Sequence, residues 1–324
     1  MPTLGYKLSS EEFGPRELVR FGRIAEDRGF EFALISDHFH PWIDAQGQSP
    51  LVWSVIGGLA EATTRLLVGT GVTCPTMRMH PAIVAQAAAT SAVMLEGRFF
   101  LGVGTGENLN EHVVGARWPA VNVRQAMLEE AVAVIRQLWR GGYQDHHGRF
   151  FTVENARIYT RPDTPPPIVV AASGERSAEL AARIGDGLVV TAPERALAER
   201  FEAAGGRGKP RYAEISVCWA NDEASARQTA HRQWPIVGLK GPLVTELAIP
   251  AHFGAAAQMV TEEAVAQEVV CGPDPARHLQ RIREYAEAGF EHLCIHQIGP
   301  DQEGFLRFYE REILPQLGQR RAAA

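Results

Sequence analysis

Short, almost unbroken apolar runs recur along the chain, and between them apolar residues return at every third or fourth position. The runs are LGYKL at 4–8, FALISDH at 32–38, LLVGTGV at 66–72, FFLGVGTG at 99–106, IVVAA at 168–172, GLVVTA at 187–192, EISVCWA at 214–220 and HLCIHQI at 292–298. Runs without polar alternation suit strands covered on both faces, and strands that alternate with helices suit a parallel sheet. The intervening segments carry helix punctuation. From Pro15 to Gly29, Leu18, Phe21, Ile24 and Ala25 form one apolar stripe. From Asp274 to Gly289 there is a capping acid, Pro275 at the first helical position, the stripe Leu279, Ile282, Tyr285 and Ala286, and a terminal glycine. Eight such strand–helix units predict an α/β fold of the (β/α)8 TIM-barrel type, which they satisfy more readily than an open doubly wound sheet.

Two stretches are too long for plain connections: 141–167, where HGRFFTVENARIYT reads as a small hairpin after Gly141-Gly142, and 233–268. They predict insertions after the fourth and seventh strands, the second placed to cover the site. The expected organisation is one barrel domain over 1–317 and a flexible tail over 318–324.

A chain of 324 residues that is 45% hydrophobic can bury one barrel-sized core, so a second domain is not required. A net charge of −6 without a polybasic run argues against nucleic acid as a partner. No apolar stretch has the length of a membrane span and the amino terminus lacks a signal pattern, so a cytoplasmic location is expected. Cys74, Cys218, Cys271 and Cys294 are scattered without metal-ligand spacing, which predicts isolated thiols and no metal site. Of the 32 basic residues only Lys7, Lys209 and Lys240 are lysines, so a lysine-dependent phosphate site has few candidates.

Barrel active sites stand at the carboxyl ends of the strands. The second strand ends in Ser36-Asp37-His38, followed by Phe39, His40, Pro41 and Trp42; the fourth ends in Gly104-Thr105-Gly106-Glu107-Asn108, followed by Leu109-Asn110-Glu111. His38 can take a hydroxyl proton near neutral pH, although a strand-end histidine can equally be structural. Glu107 could serve a ring nitrogen that becomes electron-rich on reduction, or merely answer a helix dipole. Glu11 after the first strand could assist, or could start a helix. Gly102, Gly104 and Gly106 alternate and complete no dinucleotide fingerprint. Ala171-Ala172-Ser173-Gly174-Glu175-Arg176-Ser177 is a small-residue turn opening a helix, where backbone N–H groups suit a cofactor phosphate. Gly69 to Thr76 permits close backbone approach to a flat ring. Trp53, Trp118, Trp139 and Trp234 read as core or loop anchors, and His146-His147 as a solvated turn.

These motifs together resemble the luciferase-like flavin and deazaflavin barrel superfamily, and in particular its branch containing F420-dependent glucose-6-phosphate dehydrogenase. The resemblance runs from about Leu4 to Leu317 and is carried by LGYKLSSEEFGPREL, SDHFHPW, GTGVTCPT, HPAIVAQAAAT, FFLGVGTGENLNE, VVAASG and HQIGPDQEGFLRFYERE. It implies coenzyme F420 as cofactor, with flavin mononucleotide as the alternative. It also implies that His38 and Glu107 are catalytic, supported by Trp42 and Glu11. Asp37, Gly71, Val72, Cys74, Thr105, Gly106, Asn110, Ala172, Ser173, Gly174, Arg176 and Ser177 would then hold the cofactor, with a non-proline cis peptide at Gly71-Val72. Thr191 would touch substrate. Relatives of this kind are commonly homodimers.

The chain departs from the branch where a sugar phosphate would bind. After Thr191 come Ala192-Pro193-Glu194, an acid in place of a lysine, and rough alignment puts Val244 and Gln267 where a second lysine and an arginine would stand. Cys74 replaces a threonine. Loss of the cations removes charge-assisted bonds to a phosphate dianion. The expected activity is hydride transfer between deazaflavin C5 and an alcohol- or carbonyl-type small molecule other than glucose 6-phosphate. The runner-up is an oxygen-consuming flavin mononucleotide monooxygenase, and a third reading is a barrel that binds cofactor or a partner without catalysis.

Overall fold

The computed structural model describes residues 2–318; positions 319–324 of the expected tail lie outside the described residues. The strands are β1 (Thr3–Leu8), β2 (Phe32–Ile35), β3 (Leu67–Thr70), β4 (Phe99–Val103), β5 (Gln144–His147), β6 (Thr152–Ala156), β7 (Ile168–Ala171), β8 (Gly187–Val190), β9 (Arg211–Cys218), β10 (Val270–Cys271) and β11 (His292–Gln297). β1, β2, β3, β4, β7, β8, β9 and β11 pair in parallel, and the β8–β9 and β11–β1 pairings close the sheet. The fold is therefore a (β/α)8 barrel, as the alternating pattern predicts.

The barrel is filled by side chains. Phe32 and Phe100 meet Tyr212 at 5.5 and 5.1 Å between ring centroids, and His292 stacks on Tyr212 at 4.5 Å. Gly5 and Gly69 make room for this layer, since a Cβ at either would stand 2.3 or 2.2 Å from the Phe32 or Phe100 ring. Outside, the helix Pro15–Asp27 buries Leu18, Phe21 and Ala25, and Gly29 ends its turn at φ +94°. In the helix Pro275–Glu287 the Asp274 side chain accepts from the Ala276 N–H, as its sequence punctuation predicts.

Strands end sooner than the apolar runs suggest: β2 stops at Ile35 and β4 at Val103, which leaves Ser36–His38 and Gly104–Gly106 as irregular mouth segments. β5 and β6 form an antiparallel hairpin after the helix Val121–Trp139. His146 is a correction: it lies in β5, and its Nε2 is 3.1 Å from Glu130, whose carboxylate also accepts from the N–H groups of Arg149, Phe150 and Phe151. Between β9 and β10 run the helices Glu223–Gln233, Leu243–Glu246, Pro250–Ala257 and Glu262–Glu268. Their apolar faces join Trp42 and Leu109 in one cluster with Trp234, Ile236, Phe253 and Val265. All four thiols are free and buried, and Cys218 and Cys271 are register neighbours on β9 and β10.

Candidate active site

The mouth segments after β1, β2, β3 and β4 converge, because each leaves its strand early and must satisfy its backbone and buried polar groups against its neighbours. Glu11 is buried after β1. Its Oε2 accepts from the hydroxyls of Ser9 (3.1 Å) and Ser36 (2.5 Å), and its Oε1 lies 3.6 Å from His38 Nε2. Burial pushes the Glu11 carboxyl up, but the charges of His38 and Lys7 and the Ser36 hydroxyl outweigh it and hold Glu11 below the usual carboxylate range. His38 Nδ1 is 3.1 Å from the His40 carbonyl, a contact that needs a proton on Nδ1. Nε2 then faces Glu11 at the mouth. The Trp42 ring sits 4.9 Å from the His38 ring and 5.3 Å from Phe253. Gln46 ties this loop down, accepting from the Trp42 N–H and donating to the Gln233 carbonyl.

Asn110 joins the second and fourth mouths. Its Oδ1 accepts from the N–H groups of Phe39 (2.9 Å) and His40 (3.2 Å), and its Nδ2 donates to Glu107 Oε2 at 3.3 Å. Glu107 is the residue before the one-turn helix Asn108–Glu111, and its carboxylate is half-exposed. Asp37, by contrast, is buried and turned away, taking bonds from Thr73 Oγ1 (2.7 Å) and Arg78 Nη2 (2.8 Å). Arg78 also donates its N–H to Glu111 Oε2 at 2.8 Å. Burial pushes the Glu111 carboxyl up to about 7, with Glu107 and Asp37 adding to the rise against the opposing bond and charge of Arg78. Asp37 is thus a bracket that holds the third mouth against the second.

Gly71-Val72 is a cis peptide. The fourth mouth packs on it closely: a Cβ at Gly104 would come 2.7 Å from Val72 Cγ2, and one at Gly106 would come 2.7 Å from Cys74 Sγ. Gly106 also has φ +73°, a left-handed conformation that favours glycine. Cys74 is buried and bonded to Thr76 at 3.0 Å, and burial raises its thiol well above the ordinary range. Thr105 lies half-buried between these glycines.

After β7, the N–H groups of Ser173 and Gly174 both donate to Ser177 Oγ, which caps the helix Glu175–Ile184. Ala172 is buried, and its N–H donates to the Val189 carbonyl. Arg176 and Thr191 are exposed, and the Thr191 carbonyl accepts from Tyr285. Among the described residues these β7 and β8 exits share the mouth by topology and not by a hydrogen bond to the His38 group. Val244 packs among the apolar residues that include Trp42, while Gln267 is exposed on the helix Glu262–Glu268.

Sequence reasoning missed Ser36, Gln46, Arg78 and Phe253. Arg78 had a signal: Asp37 and Glu111 are acids beside apolar strand ends, and buried acids need a cation or several donors.

The backbone at Gly71, Gly104 and Gly106 packs closely on Leu34, Val72 and Cys74; His38 and Glu107 supply proton-handling groups at the mouth, and buried Asn110 ties Glu107 to the second mouth segment. Residues 2–292 match the luciferase-like monooxygenase family. The chain belongs to that family. It is 38% identical over 328 residues to the F420-dependent glucose-6-phosphate dehydrogenase of Microbacterium testaceum, covering 98% of this chain and 97% of that protein. It is also 38% identical over 325 residues to the enzyme of the same name from Nakamurella multipartita, covering 97% and 96%. Among solved structures, an F420-dependent secondary alcohol dehydrogenase in complex with an F420–acetone adduct superposes with a TM-score of 0.90 at 31% identity, covering 96% of this chain and 98% of that one. The F420-dependent tetrahydromethanopterin reductase of Methanopyrus kandleri superposes at 0.80 with 22% identity, a likeness of fold.

Proposed function

We propose that the protein transfers hydride between coenzyme F420 and a small alcohol or its carbonyl product, and that this substrate is not glucose 6-phosphate. The coarser statement, that it is an F420-dependent oxidoreductase, rests on full-length relatives of that type. The turn after β7 supports a place for the cofactor phosphate: a Cβ at Gly174 would meet nothing within 4 Å, so there is room for it at the start of the helix Glu175–Ile184. Gly71, Val72, Cys74, Thr105, Gly106 and Asn110 would hold the ring and Ala172 to Ser177 the tail, with Asp37 bracing them from behind. When bound, the deazaflavin accepts or gives hydride at its C5.

The observation that carries the reading is the orientation of His38. With Nδ1 committed to the His40 carbonyl, Nε2 is the free acceptor for a substrate hydroxyl proton, and Glu11 at 3.6 Å stabilises the imidazolium that results. Glu107, held by Asn110 at 3.3 Å, can keep or release a proton on the ring side. Trp42, backed by the buried Phe253, closes the substrate side.

Substrate choice follows from charge. Glu194 is an exposed acid where the branch has a cation, and Val244 adds an apolar side chain. A phosphate dianion would meet repulsion, whereas a neutral alcohol would lose little on entry. Thr191 stands at the β8 exit with a hydroxyl available to such a substrate. A homodimer in the cytoplasm completes the reading: among the described residues no helix is long and apolar enough to cross a membrane, and Leu51, Ile83 and Met94 expose apolar surface on neighbouring helices.

His38→Ala tests the mechanism. At saturating F420, confirmed by fluorescence titration of the apo-protein beside flavin mononucleotide, turnover should fall by roughly 10²-fold or more. An unchanged rate would remove His38, and tighter binding of flavin mononucleotide than of F420 would favour the monooxygenase.

A further inference from the structure

Lys7 is one of three lysines in the chain, and unlike Lys209 and Lys240 it is buried, at 7% exposure, within the barrel. A lone ammonium there would be costly, yet the barrel accommodates it with two well-formed bonds. Its Nζ donates to Glu214 Oε2 at 2.7 Å and to the Gly71 carbonyl at 3.0 Å. That carbonyl belongs to the cis peptide on which the fourth mouth packs. Register explains the meeting: Lys7 on β1 lies beside Leu34 on β2, which lies beside Gly69 on β3 two residues before Gly71, and Glu214 on β9 lies beside Cys294 on β11, itself beside Gly5 on β1.

The charged and titratable groups around it come from three segments. Glu214 on β9 pairs with it directly; Glu11, after β1, and Cys294 on β11 act on it through space; and His296 on β11 lies 3.6 Å from Glu214 and 3.4 Å from Glu12. Glu11 in turn faces His38 and Lys7. Burial disfavours the charge on Lys7, but the two glutamates outweigh it and hold the ammonium above its ordinary range. The barrel therefore keeps a fixed positive charge beneath the mouth.

We infer that Lys7 is a positioning residue for the reaction, its ammonium fixing the Gly71 carbonyl at the wall of the ring site and placing a positive charge beneath Glu11 and His38. It touches neither substrate nor the reacting atoms. Two consequences are separable. Loss of the bond to Gly71 frees a buried carbonyl and loosens the wall. Loss of the charge makes a proton on Glu11 more favourable and weakens the support Glu11 gives His38, so the acid limb of kcat/KM moves to higher pH.

The inference rests on the proposed hydride-transfer reading, so its test includes cofactor affinity measured without turnover. Lys7→Met would leave Glu214 without its partner. The double variant Lys7→Met/Glu214→Gln removes both charges, a change that is often neutral for stability, and it should fold. The double variant should bind F420 roughly tenfold more weakly in fluorescence titration, the worth of one charge-assisted hydrogen bond. Its acid limb should still lie at higher pH, because Lys7 acts on Glu11 more strongly than Glu214 does. Glu214→Gln alone leaves the bond to Gly71 and an uncompensated charge, so affinity should stay within about twofold and the acid limb should move to lower pH. Should neither Lys7 variant fold, that sign decides. Unchanged affinity and an unchanged acid limb in the double variant, or an upward move in Glu214→Gln, would overturn the assignment. Wild-type protein that binds F420 but shows no His38-dependent turnover would defeat the functional reading instead, and the affinity comparison would still report on Lys7.

Discussion

Replacing Glu111 with Gln should remove a loss of stability that the wild-type protein suffers between pH 5 and 8. The carboxyl is 1% exposed, sits near Asp37 and Glu107, and is pushed from an ordinary 4.5 to about 7. A raised carboxyl means that the folded state binds the proton more tightly than the unfolded state does. Below pH 4.5 both states are protonated and Glu111 costs nothing. As pH rises from 4.5 towards 7 the unfolded chain ionises first, so stability falls, and above 7 the full cost is present. Two and a half units at 1.36 kcal/mol each is about 3 kcal/mol. Gln is neutral at every pH and can still accept the Arg78 N–H bond, which is 2.8 Å in the wild type. At pH 4 the two proteins should therefore melt close together. With a melting entropy of about 0.7 kcal/mol/K for a chain of this size, the variant should melt roughly 4–5 °C higher at pH 8. The assay is the Tm difference by calorimetry or circular dichroism at half-unit pH steps. A difference that stays flat from pH 5 to 8 would refute the argument, because nothing else in the substitution titrates there.

Arg78→Met should destabilise the protein by about 3–5 kcal/mol in urea melts at pH 8, since it leaves Asp37 buried without its cation. Added at pH 8 to Glu111→Gln, it should cost less than in the wild type, because Glu111 then bears no charge for Arg78 to offset. Gly104→Ala should keep the fold but weaken F420 binding by roughly tenfold in fluorescence titration, because its Cβ would drive Val72 off its place at 2.7 Å.

The barrel was legible because its strands are covered on both faces, and such strands leave continuous apolar runs. Their ends were not legible: Ser36–His38 and Gly104–Gly106 extend those runs in sequence but turn out of the sheet to build the mouth. The hairpin was visible in its glycines, yet His146 read as a turn because the pull of Glu130 comes from a helix 16 residues away. The rim residues His38, Trp42 and Glu107 stand within short motifs, so sequence could name them. Arg78 and Lys7 act across the barrel, on partners 41 and 207 residues distant, and a single sequence does not carry that pairing. The register that sets Cys271 beside Cys218, 53 residues earlier on the adjacent strand, escaped for the same reason.

The most direct test is anaerobic reduction of F420 by the wild-type protein with 2-propanol, with 2-deuterio-2-propanol and with glucose 6-phosphate, followed as loss of deazaflavin absorbance. A neutral secondary alcohol should reduce the cofactor with a primary isotope effect, and glucose 6-phosphate should be slower in kcat/KM by at least two orders of magnitude. Saturable turnover of glucose 6-phosphate at a kcat/KM equal to or above that of the alcohol would contradict the account.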